Sequence, residues 1–260
     1  MNRLTATLIT CNEEQNLPRV LDSLADLPDE IVVVDSGSAD RTREIALQRG
    51  ARVLCRAWTG FADQRNFAAA HAAHDWILAL DADEELSPEL RESLRAWKNR
   101  DPAEMAYEFS RLASYLGQWI RHSGWYPDRK VRLYRRDRAR FAGVAHDSLV
   151  TDGRVGRLAG DLYHHAFRTV AEHTATVNSY STAGAEEMFA AGRRSWLPAM
   201  LLAPPWMLLR RFFLQAGFLD GSRGWRIARM SAKYTFLKYR KLGVLARGGS
   251  LKASHRDANP

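Results

Sequence analysis

The stretch that most constrains the fold of this chain is residues 76–85, where an apolar run leads into four acids within five positions. An apolar run of this length followed by polar residues predicts a buried strand of a parallel sheet. The acids then follow the carboxyl end of that strand, the edge at which open α/β sheets bind ligands. Because residues 87–89, Ser-Pro-Glu, make a good helix start, a solvated turn before a helix is the competing interpretation.

Asp81 and Asp83 are the candidate metal ligands in this stretch. In an extended chain their side chains would face the same way, because side chains alternate with a period of two. Two carboxylates aimed at one point repel each other unless a cation lies between them. Oxygen ligands of this kind suit Mg²⁺ or Mn²⁺, ions that usually also hold substrate phosphates.

Three further short strands are predicted before the acidic stretch, at residues 5–10, 31–34 and 52–55. Between them, apolar residues recur on one helical face at residues 17–24, and an alanine-rich helical segment covers residues 61–73. Strands that alternate with helices predict an α/β fold, a parallel sheet covered on both faces.

Polar side chains also follow the first two strands. Thr10, Asn12 and Glu13 come after the first, and Asp35 comes after the second, so we expect them at the same sheet edge as the aspartates. An acid in the position of Asp35 is well placed to bind a ribose hydroxyl or a base N–H. Three polar neighbours are interpreted instead as turn and helix-cap residues: Ser36, Ser38 and Asp40. The chain carries neither a Gly-x-Gly-x-x-Gly turn after the first strand nor a Walker loop.

Four segments in this order resemble the family 2 glycosyltransferases with the GT-A fold. They are Thr-Cys-Asn-Glu-Glu at 10–14, Val-Asp-Ser-Gly-Ser-Ala-Asp-Arg-Thr at 34–42, Gln-Arg-Asn at 64–66 and Leu-Asp-Ala-Asp-Glu at 80–84. The subgroup that the chain resembles is the bacterial lipopolysaccharide-core β-glucosyltransferases. The resemblance implies a GT-A fold, Rossmann-like and mostly parallel with helices on both faces, a nucleoside-diphosphate sugar donor and a divalent metal, Mn²⁺ or Mg²⁺.

The resemblance also implies roles for single residues. Asp35 and Arg65 would hold the uracil end of the donor, Asp81 would contact the ribose or the metal, and Asp83 would bind the metal directly. The nucleoside pocket would be lined by Thr10, Asn12 and Glu13.

The second half of the chain contains the candidate catalytic base. An inverting transfer needs a group that removes the proton of the acceptor hydroxyl as the anomeric carbon is attacked. The subgroup has a histidine followed by an acid after an aromatic-glycine segment, and His146-Asp147 matches this pattern, with Asp where Glu is more usual. Asp147 is therefore the expected base and His146 a candidate acceptor or phosphate contact, with a helix-capping pair as the alternative. His146, Asp147 and Ser148 do not predict a hydrolase, because adjacent residues form no triad and a nucleophile elbow is missing.

Two more residues are candidate acceptor or phosphate contacts. Trp125 lies in an aromatic loop, Gly-Trp-Tyr-Pro, and Arg132 is one of seven basic residues between 129 and 140. We interpret most of that basic run as a solvated edge strand, whose charges discourage edge-to-edge pairing, with one or two side chains that reach a phosphate or an anionic acceptor.

His164 and His165 invite a zinc interpretation, which the sequence does not favour. Adjacent histidines of a strand point to opposite faces, and neither cysteine ligands nor an H-E-x-x-H helix accompany them. In the subgroup a histidine near this position belongs to the last strand of the fold, so the resemblance implies that one of the two approaches the metal or the diphosphate.

The C-terminal region is strongly basic. Residues 191–260 contain 14 Lys and Arg against 2 Asp and Glu, a net +12, whereas the whole chain is +8 and the remainder is therefore −4. Apolar residues at 195–219 are interrupted by Pro204-Pro205 and split by Arg210-Arg211, and the run is shorter than a bilayer span. This composition predicts interfacial helices on an anionic membrane surface, with a helical subdomain packed on the sheet as the alternative. Nucleic acid is not expected as a partner, because the aromatic residues lie in an aliphatic run.

We therefore expect four segments: a nucleotide-sugar-binding half (1–100), an acceptor-binding, catalytic half (101–190), a basic helical extension that associates with membrane (191–248) and a disordered tail (249–260). The predicted protein is an inverting, metal-dependent hexosyltransferase that moves glucose from UDP-glucose onto a lipopolysaccharide-core or other lipid-linked glycan. Two cysteines without metal spacing and a start without an apolar leader favour the cytoplasm, with the protein peripheral on the inner face of the cytoplasmic membrane. A polyprenyl-phosphate sugar synthase and a non-catalytic sugar-nucleotide-binding protein remain the alternatives.

Overall fold

The computed structural model of this chain describes residues 1–143 and 148–251. They form two compact units. The first comprises Met1–Leu112 and the described residues of Asp128–His164, and the second comprises Ala113–Pro127 and the described residues from His165 to Leu251.

The first unit opens with the predicted alternation of strands and helices. Its strands are β1 (Leu4–Thr10), β2 (Glu30–Asp35), β3 (Arg52–Cys55) and β4 (Trp76–Asp81), and its helices are α1 (Leu17–Leu24), α2 (Thr42–Gln48) and α3 (Phe61–Ala70). α1 buries Leu17, Val20, Leu21 and Leu24, the helical face that the apolar spacing predicts. These local patterns therefore form the structure expected of them.

These four strands are parallel and adjacent, in the order β3-β2-β1-β4. Thr10 lies opposite Asp35 in the β1–β2 register, and Ile9 lies opposite Asp81 in the β1–β4 register. The polar residues that follow β1, β2 and β4 consequently meet at one edge of the sheet, as the sequence predicts.

The rest of the sheet corrects the expectation of a mostly parallel arrangement. The further elements are β5 (Glu84–Leu86), α4 (Pro88–Lys98), β6 (Ala106–Tyr115), β7 (Gln118–Trp119), β8 (Asp128–Arg135) and β11 (Val155–Phe167), while β9 (Ala139–Ala142) and β10 (Ser148–Thr151) form a separate pair. The strand order continues from β4 as β8-β6-β11-β5, with β7 paired to β6. The pairs β4–β8, β6–β8, β6–β7 and β5–β11 are antiparallel. The fold is thus α/β with a mixed sheet.

The predicted basic edge strand is an interior strand. β8 lies between β4 and β6, and its pairing with β6 shifts register because Tyr107 faces Leu133 whereas Glu108 faces Val131. Arg132 is therefore the extra residue of a β-bulge, a feature that redirects side chains and often lies next to active sites. Arg132 is only 5% exposed, so its charge must be compensated inside the protein.

α4 begins at a well-formed cap that also holds β11. The hydroxyl of Ser87 accepts from Leu90 N and from Asp161 N, each at 3.1 Å, and Ser87 N donates to Asp161 O at 3.0 Å. Gly160 has a positive φ of 96°, and a Cβ there would lie 2.2 Å from Leu90 N. Only glycine permits this close approach, which places the following residues of β11 beside β5.

The second unit is mainly helical. Its helices are α5 (Val170–Ala190), α6 (Leu197–Leu209) and α7 (Gly221–Ala246), with a π-helical turn at Arg210–Leu214 and a 3₁₀ turn at Gly217–Asp220. The prolines do not end the helix, contrary to the sequence-based expectation: α6 runs from Leu197 to Leu209 with Pro204 and Pro205 inside it. The fixed φ of proline is compatible with a helix, although each ring removes a backbone donor and crowds the preceding turn.

Within the described residues, no helix combines the length and the apolar character that a membrane crossing requires. α6 nevertheless contains no buried residue. Its exposed apolar side chains form the surface that we call the α6 face: Leu197, Leu201, Leu202, Trp206 and Leu209.

Candidate active site

Asp35 anchors the loop that follows β2. Its side chain is fully buried, and one carboxylate oxygen accepts from Ser38 N at 2.9 Å and Gly37 N at 3.2 Å. The other oxygen accepts from the hydroxyls of Thr10, at 3.1 Å, and Ser38. Thr10 and Asp35, both expected in a nucleoside pocket, are thus in direct contact, and a nucleoside N–H would have to share a carboxylate that already holds this turn.

Hydrogen bonds join the loop after β1 to the loop after β2. Asn12 N donates to the Ser38 hydroxyl at 2.8 Å, and the Asn12 side-chain oxygen accepts from Ala39 N at 2.9 Å. Asn12 has a φ of 57°, a left-handed conformation that asparagine tolerates better than most residues. Glu13 N donates to the Thr42 hydroxyl at 2.7 Å. The predicted nucleoside residues therefore line one continuous polar rim.

Asp81 is held between two arginines. Arg65, buried on α3, bonds one carboxylate oxygen, and Arg132, from the bulge of β8, bonds the other at 2.6 Å. Burial alone would raise the pKa of Asp81, but the charges of Arg132 and Arg65 outweigh it and hold that pKa well below its ordinary value. Asp81 is consequently an anion whose two oxygens are both engaged.

Glu84 is a site residue to which the sequence assigned no role. It is 1% exposed, and its carboxylate accepts from Arg132 at 2.8 Å and from Asp81 N at 3.0 Å. Burial would lower the pKa of Arg132, but Asp81 and Glu84 together raise it above its ordinary value. The only signal in the sequence was the position of Glu84 within the acidic stretch, because its arginine partner lies far along the chain.

Asp83 faces a histidine. Its Oδ2 lies 3.1 Å from Nε2 of His164, and both side chains are partly exposed. The expected alternation of Asp81 and Asp83 assumed an extended chain, but β4 ends at Asp81 and β5 begins only at Glu84, so Asp83 lies in a turn. His164 contacts Asp83 whereas His165 contacts Trp119 at 5.4 Å between ring centroids, as strand alternation predicts.

Asp83 and His164 together fit a divalent cation. No group of three His, Cys, Asp or Glu side chains within residues 1–143 and 148–251 could hold one, but Mg²⁺-type ions commonly use one or two carboxylates and take the other ligands from water and substrate phosphates. A carboxylate oxygen and an imidazole nitrogen that already meet at 3.1 Å supply two adjacent donors. The geometry does not favour Asp81 as a further direct ligand, because arginines engage both of its oxygens.

Two further candidate positions lie outside this group of contacts. Trp125 lies in the second unit, in an aromatic cluster with Tyr115, Phe167 and His173 at centroid distances of 5.8–6.2 Å. His146 and Asp147 lie outside the described residues.

Comparisons with known proteins give consistent matches. The model of the family described as "Glycosyl transferase family 2" matches residues 5–154. An uncharacterized glycosyltransferase of Rickettsia typhi is 30% identical over 259 residues, which cover 95% of this chain and 88% of that protein. The lipopolysaccharide core biosynthesis glycosyltransferase LpsC of Rhizobium meliloti is 30% identical over 247 residues, 92% of this chain and 91% of that protein.

A solved structure was also matched, over a smaller part of the chain. Glucosyl-3-phosphoglycerate synthase from Mycobacterium tuberculosis, in complex with Mn²⁺, UDP and glucosyl-3-phosphoglycerate, is 25% identical with a TM-score of 0.37 and covers 44% of each chain.

Proposed function

Because the chain belongs to glycosyltransferase family 2, we propose that it moves glucose from UDP-glucose, with inversion at the anomeric carbon, onto a lipopolysaccharide-core or other lipid-linked glycan. The likeness to a lipopolysaccharide core biosynthesis glycosyltransferase over nine-tenths of both chains supports this class of acceptor. The four segments that carry the resemblance support UDP-glucose as donor.

The observation that carries the proposal is the pair formed by Asp83 and His164, which lie 3.1 Å apart just past the end of β4. These two residues would hold Mn²⁺ or Mg²⁺ beside the donor diphosphate. A divalent cation at this position would neutralise the negative charge that develops on the departing diphosphate.

The other residues of this edge would bind the nucleoside. Thr10, Asn12, Glu13 and Asp35 form the polar rim, and Arg65 fixes Asp81 with its carboxylate ionised. An ionised carboxylate accepts hydrogen bonds from ribose hydroxyls more strongly than a neutral acid does. In this proposal Asp81 contacts the ribose, and Asp83 is the metal ligand.

Asp147 is the proposed base. It would take the proton of the acceptor hydroxyl while the oxygen forms its bond to the anomeric carbon and the bond from that carbon to the diphosphate breaks. His146 and Arg132 were the candidate acceptor or phosphate contacts beside it. Since Arg132 is bound to Asp81 and Glu84, only His146 and Trp125 are retained in that role.

We further propose that the second unit brings the enzyme to a membrane surface, where a lipid-linked acceptor is found. Apolar side chains of the α6 face are 44–71% exposed, and the surrounding C-terminal region carries a net +12. This combination suits an anionic interface. The protein would then act as a peripheral enzyme on the inner face of the cytoplasmic membrane.

The test is calorimetric binding of a panel of nucleotide sugars with Mn²⁺ present and absent, followed by transfer assays with the donor that binds. We expect UDP-glucose to bind more tightly with Mn²⁺ than without it. Asp83→Asn should abolish this gain in affinity, because the substitution deletes an anionic ligand. Asp22→Asn, an exposed carboxylate on α1, is the control and should bind like the unsubstituted protein.

Two results would contradict the proposal. Equal UDP affinity in Asp83→Asn and the unsubstituted protein, with Mn²⁺ present, would contradict the proposed metal site. Donor binding with neither transfer nor donor hydrolysis, across lipopolysaccharide-core and polyprenyl-phosphate acceptors, would favour a sugar-nucleotide-binding protein without catalytic activity.

A further inference from the structure

The turn that presents Asp83 is closed by one buried side chain. Glu84 reaches back to accept a hydrogen bond from Asp81 N at 3.0 Å, so its carboxylate spans the segment that contains Ala82 and Asp83. The other carboxylate oxygen is bound by Arg132 at 2.8 Å and Arg111 at 3.4 Å. Glu84 is only 1% exposed, and both of its carboxylate oxygens are hydrogen-bonded, so its side chain is held in place.

The backbone of Glu84 also places the partner of Asp83. In the antiparallel register of β5 and β11, Glu84 lies directly opposite His164. The same residue thus sets the strand position of His164 through its main chain and the shape of the Asp83 turn through its side chain. The result is the 3.1 Å approach between Asp83 and His164.

The charge of Glu84 is compensated by an extended chain of ion pairs. Arg65, Asp81, Arg132, Glu84, Arg111 and Asp128 alternate in sign along it, at N–O distances up to 3.4 Å. These six residues carry three positive and three negative charges, and Lys130 also pairs with Asp128 at 3.1 Å, so every buried charge has an opposite neighbour. If Glu84 turned away, the three arginines would share only two acids, Asp81 and Asp128.

We infer that Glu84 is a positioning residue of this enzyme: its carboxylate holds Asp83 and His164 at the separation that a divalent cation requires. The inference rests on the proposed metal-dependent function and deepens it. A role in stability alone would need only the charge of Glu84, whereas a positioning role needs its length, because the carboxylate must reach Asp81 N and Arg132 together.

Two substitutions separate length from charge. Glu84→Asp keeps the charge but shortens the reach by about 1.5 Å, one carbon–carbon bond, so it cannot make both contacts. Glu84→Gln keeps the length and an oxygen that can accept from Asp81 N, but loses the charge. Glu85→Asp is the matched control, because it makes the same change at the neighbouring residue of β5.

The measurement is Mn²⁺ affinity in the presence of UDP, by calorimetry and by electron paramagnetic resonance of the bound ion, with thermal melting to verify folding. We expect Glu84→Asp to weaken Mn²⁺ binding at least tenfold and to alter the resonance spectrum, while metal-free UDP affinity stays within about twofold. Glu84→Gln should lower the melting temperature but weaken Mn²⁺ binding less than Glu84→Asp. Glu85→Asp should stay within about twofold of the unsubstituted protein.

Wild-type Mn²⁺ affinity in folded Glu84→Asp, or a larger loss in Glu84→Gln than in Glu84→Asp, would overturn the positioning role. If Glu84→Asp does not fold, Arg132→Lys provides the same test, since it keeps the charge but shortens the side chain that holds Glu84: a several-fold loss supports the inference and an unchanged affinity overturns it. Absence of Mn²⁺ binding in the unsubstituted protein would instead overturn the proposed metal site.

Discussion

A single carboxylate, Asp147, is the proposed proton acceptor, and its removal should affect turnover rather than donor binding. We expect Asp147→Asn to lower kcat by about 10²–10⁴-fold, the usual contribution of general-base catalysis. The amide cannot accept the proton at neutral pH but occupies nearly the same volume. Steady-state kinetics with the donor and acceptor, together with calorimetry of UDP binding, measure both effects.

The control for Asp147 is Asp152→Asn, an exposed aspartate five positions along the chain, which should keep near-normal turnover. Turnover close to wild type in Asp147→Asn would make Asp147 a capping residue and place the base elsewhere. It would also favour a polyprenyl-phosphate acceptor, whose phosphate oxygen attacks without a strong base.

At the same scale, Asp81 shows what local sequence can predict and what it cannot. The apolar run at 76–80 predicted the strand and placed both aspartates at its end, because that pattern depends only on neighbours in the chain. The partner Arg132 lies 51 residues away and reaches Asp81 only because β8 lies on the far side of β4 from β1. No local sequence pattern contains that pairing, so the contacts of Arg65 and Arg132 with Asp81 are visible only in the structure.

Whole strands and helices also differ in how well local sequence predicts their place in the fold. The four parallel strands and their helices follow from apolar runs and helical spacing. β8 alternates charged and apolar residues like a solvated edge strand, yet lies inside the sheet. Acids on β4 and β5 neutralise its Arg132, and its own first residue, Asp128, pairs with its Lys130 and with Arg111 of the neighbouring β6. A prediction from charge alone therefore assigns such a strand to the sheet edge, because the acids that neutralise it come from strands whose pairing is not visible in the sequence.

α5 contains a buried histidine, His173, near its N-terminus. A capping box of Thr169 and Glu172 begins this helix, and His173 lies 7% exposed, stacked on Phe167 at 4.4 Å with Nδ1 3.1 Å from the Tyr115 hydroxyl. Burial lowers the pKa of His173 to about 4. Between that value and its ordinary pKa, the unfolded chain binds a proton at this site that the folded protein does not.

Stability should therefore fall as the pH drops through this interval. From pH 7 to pH 5 the contribution of His173 amounts to about 2 kcal/mol of unfolding free energy, given about 1.4 kcal/mol per unit of pKa difference. His173→Gln keeps a hydrogen-bonding group but cannot titrate in this range. Its unfolding free energy, measured by urea denaturation, should therefore fall by about 2 kcal/mol less from pH 7 to pH 5 than that of the unsubstituted protein.

The control for His173 is His71→Gln, at an exposed histidine on the first unit, which should keep the wild-type pH dependence. Equal pH dependence in His173→Gln and the unsubstituted protein would show that His173 is protonated in the folded state, contrary to its burial.

At the scale of the whole molecule, charge and apolar exposure coincide in the same part of the chain. Residues 191–260 carry a net +12 and the remainder a net −4, and the α6 face lies within the basic part. Apolar burial in an interface is insensitive to salt, whereas each basic residue adds about 1 kcal/mol near an anionic surface and loses it with ionic strength. Binding to anionic liposomes should therefore weaken only partly at high salt.

The measurement is flotation of the purified protein with liposomes of varied anionic lipid content, at low and high salt. Leu201→Glu should weaken binding by about 2 kcal/mol, roughly 30-fold, because it removes one leucine from the interface. Leu47→Glu is the matched control, since Leu47 on α2 is 61% exposed, as is Leu201, but lies outside the basic region. Equal losses in the two variants, or no flotation under any condition, would assign the α6 face to contacts between protein molecules instead of to lipid.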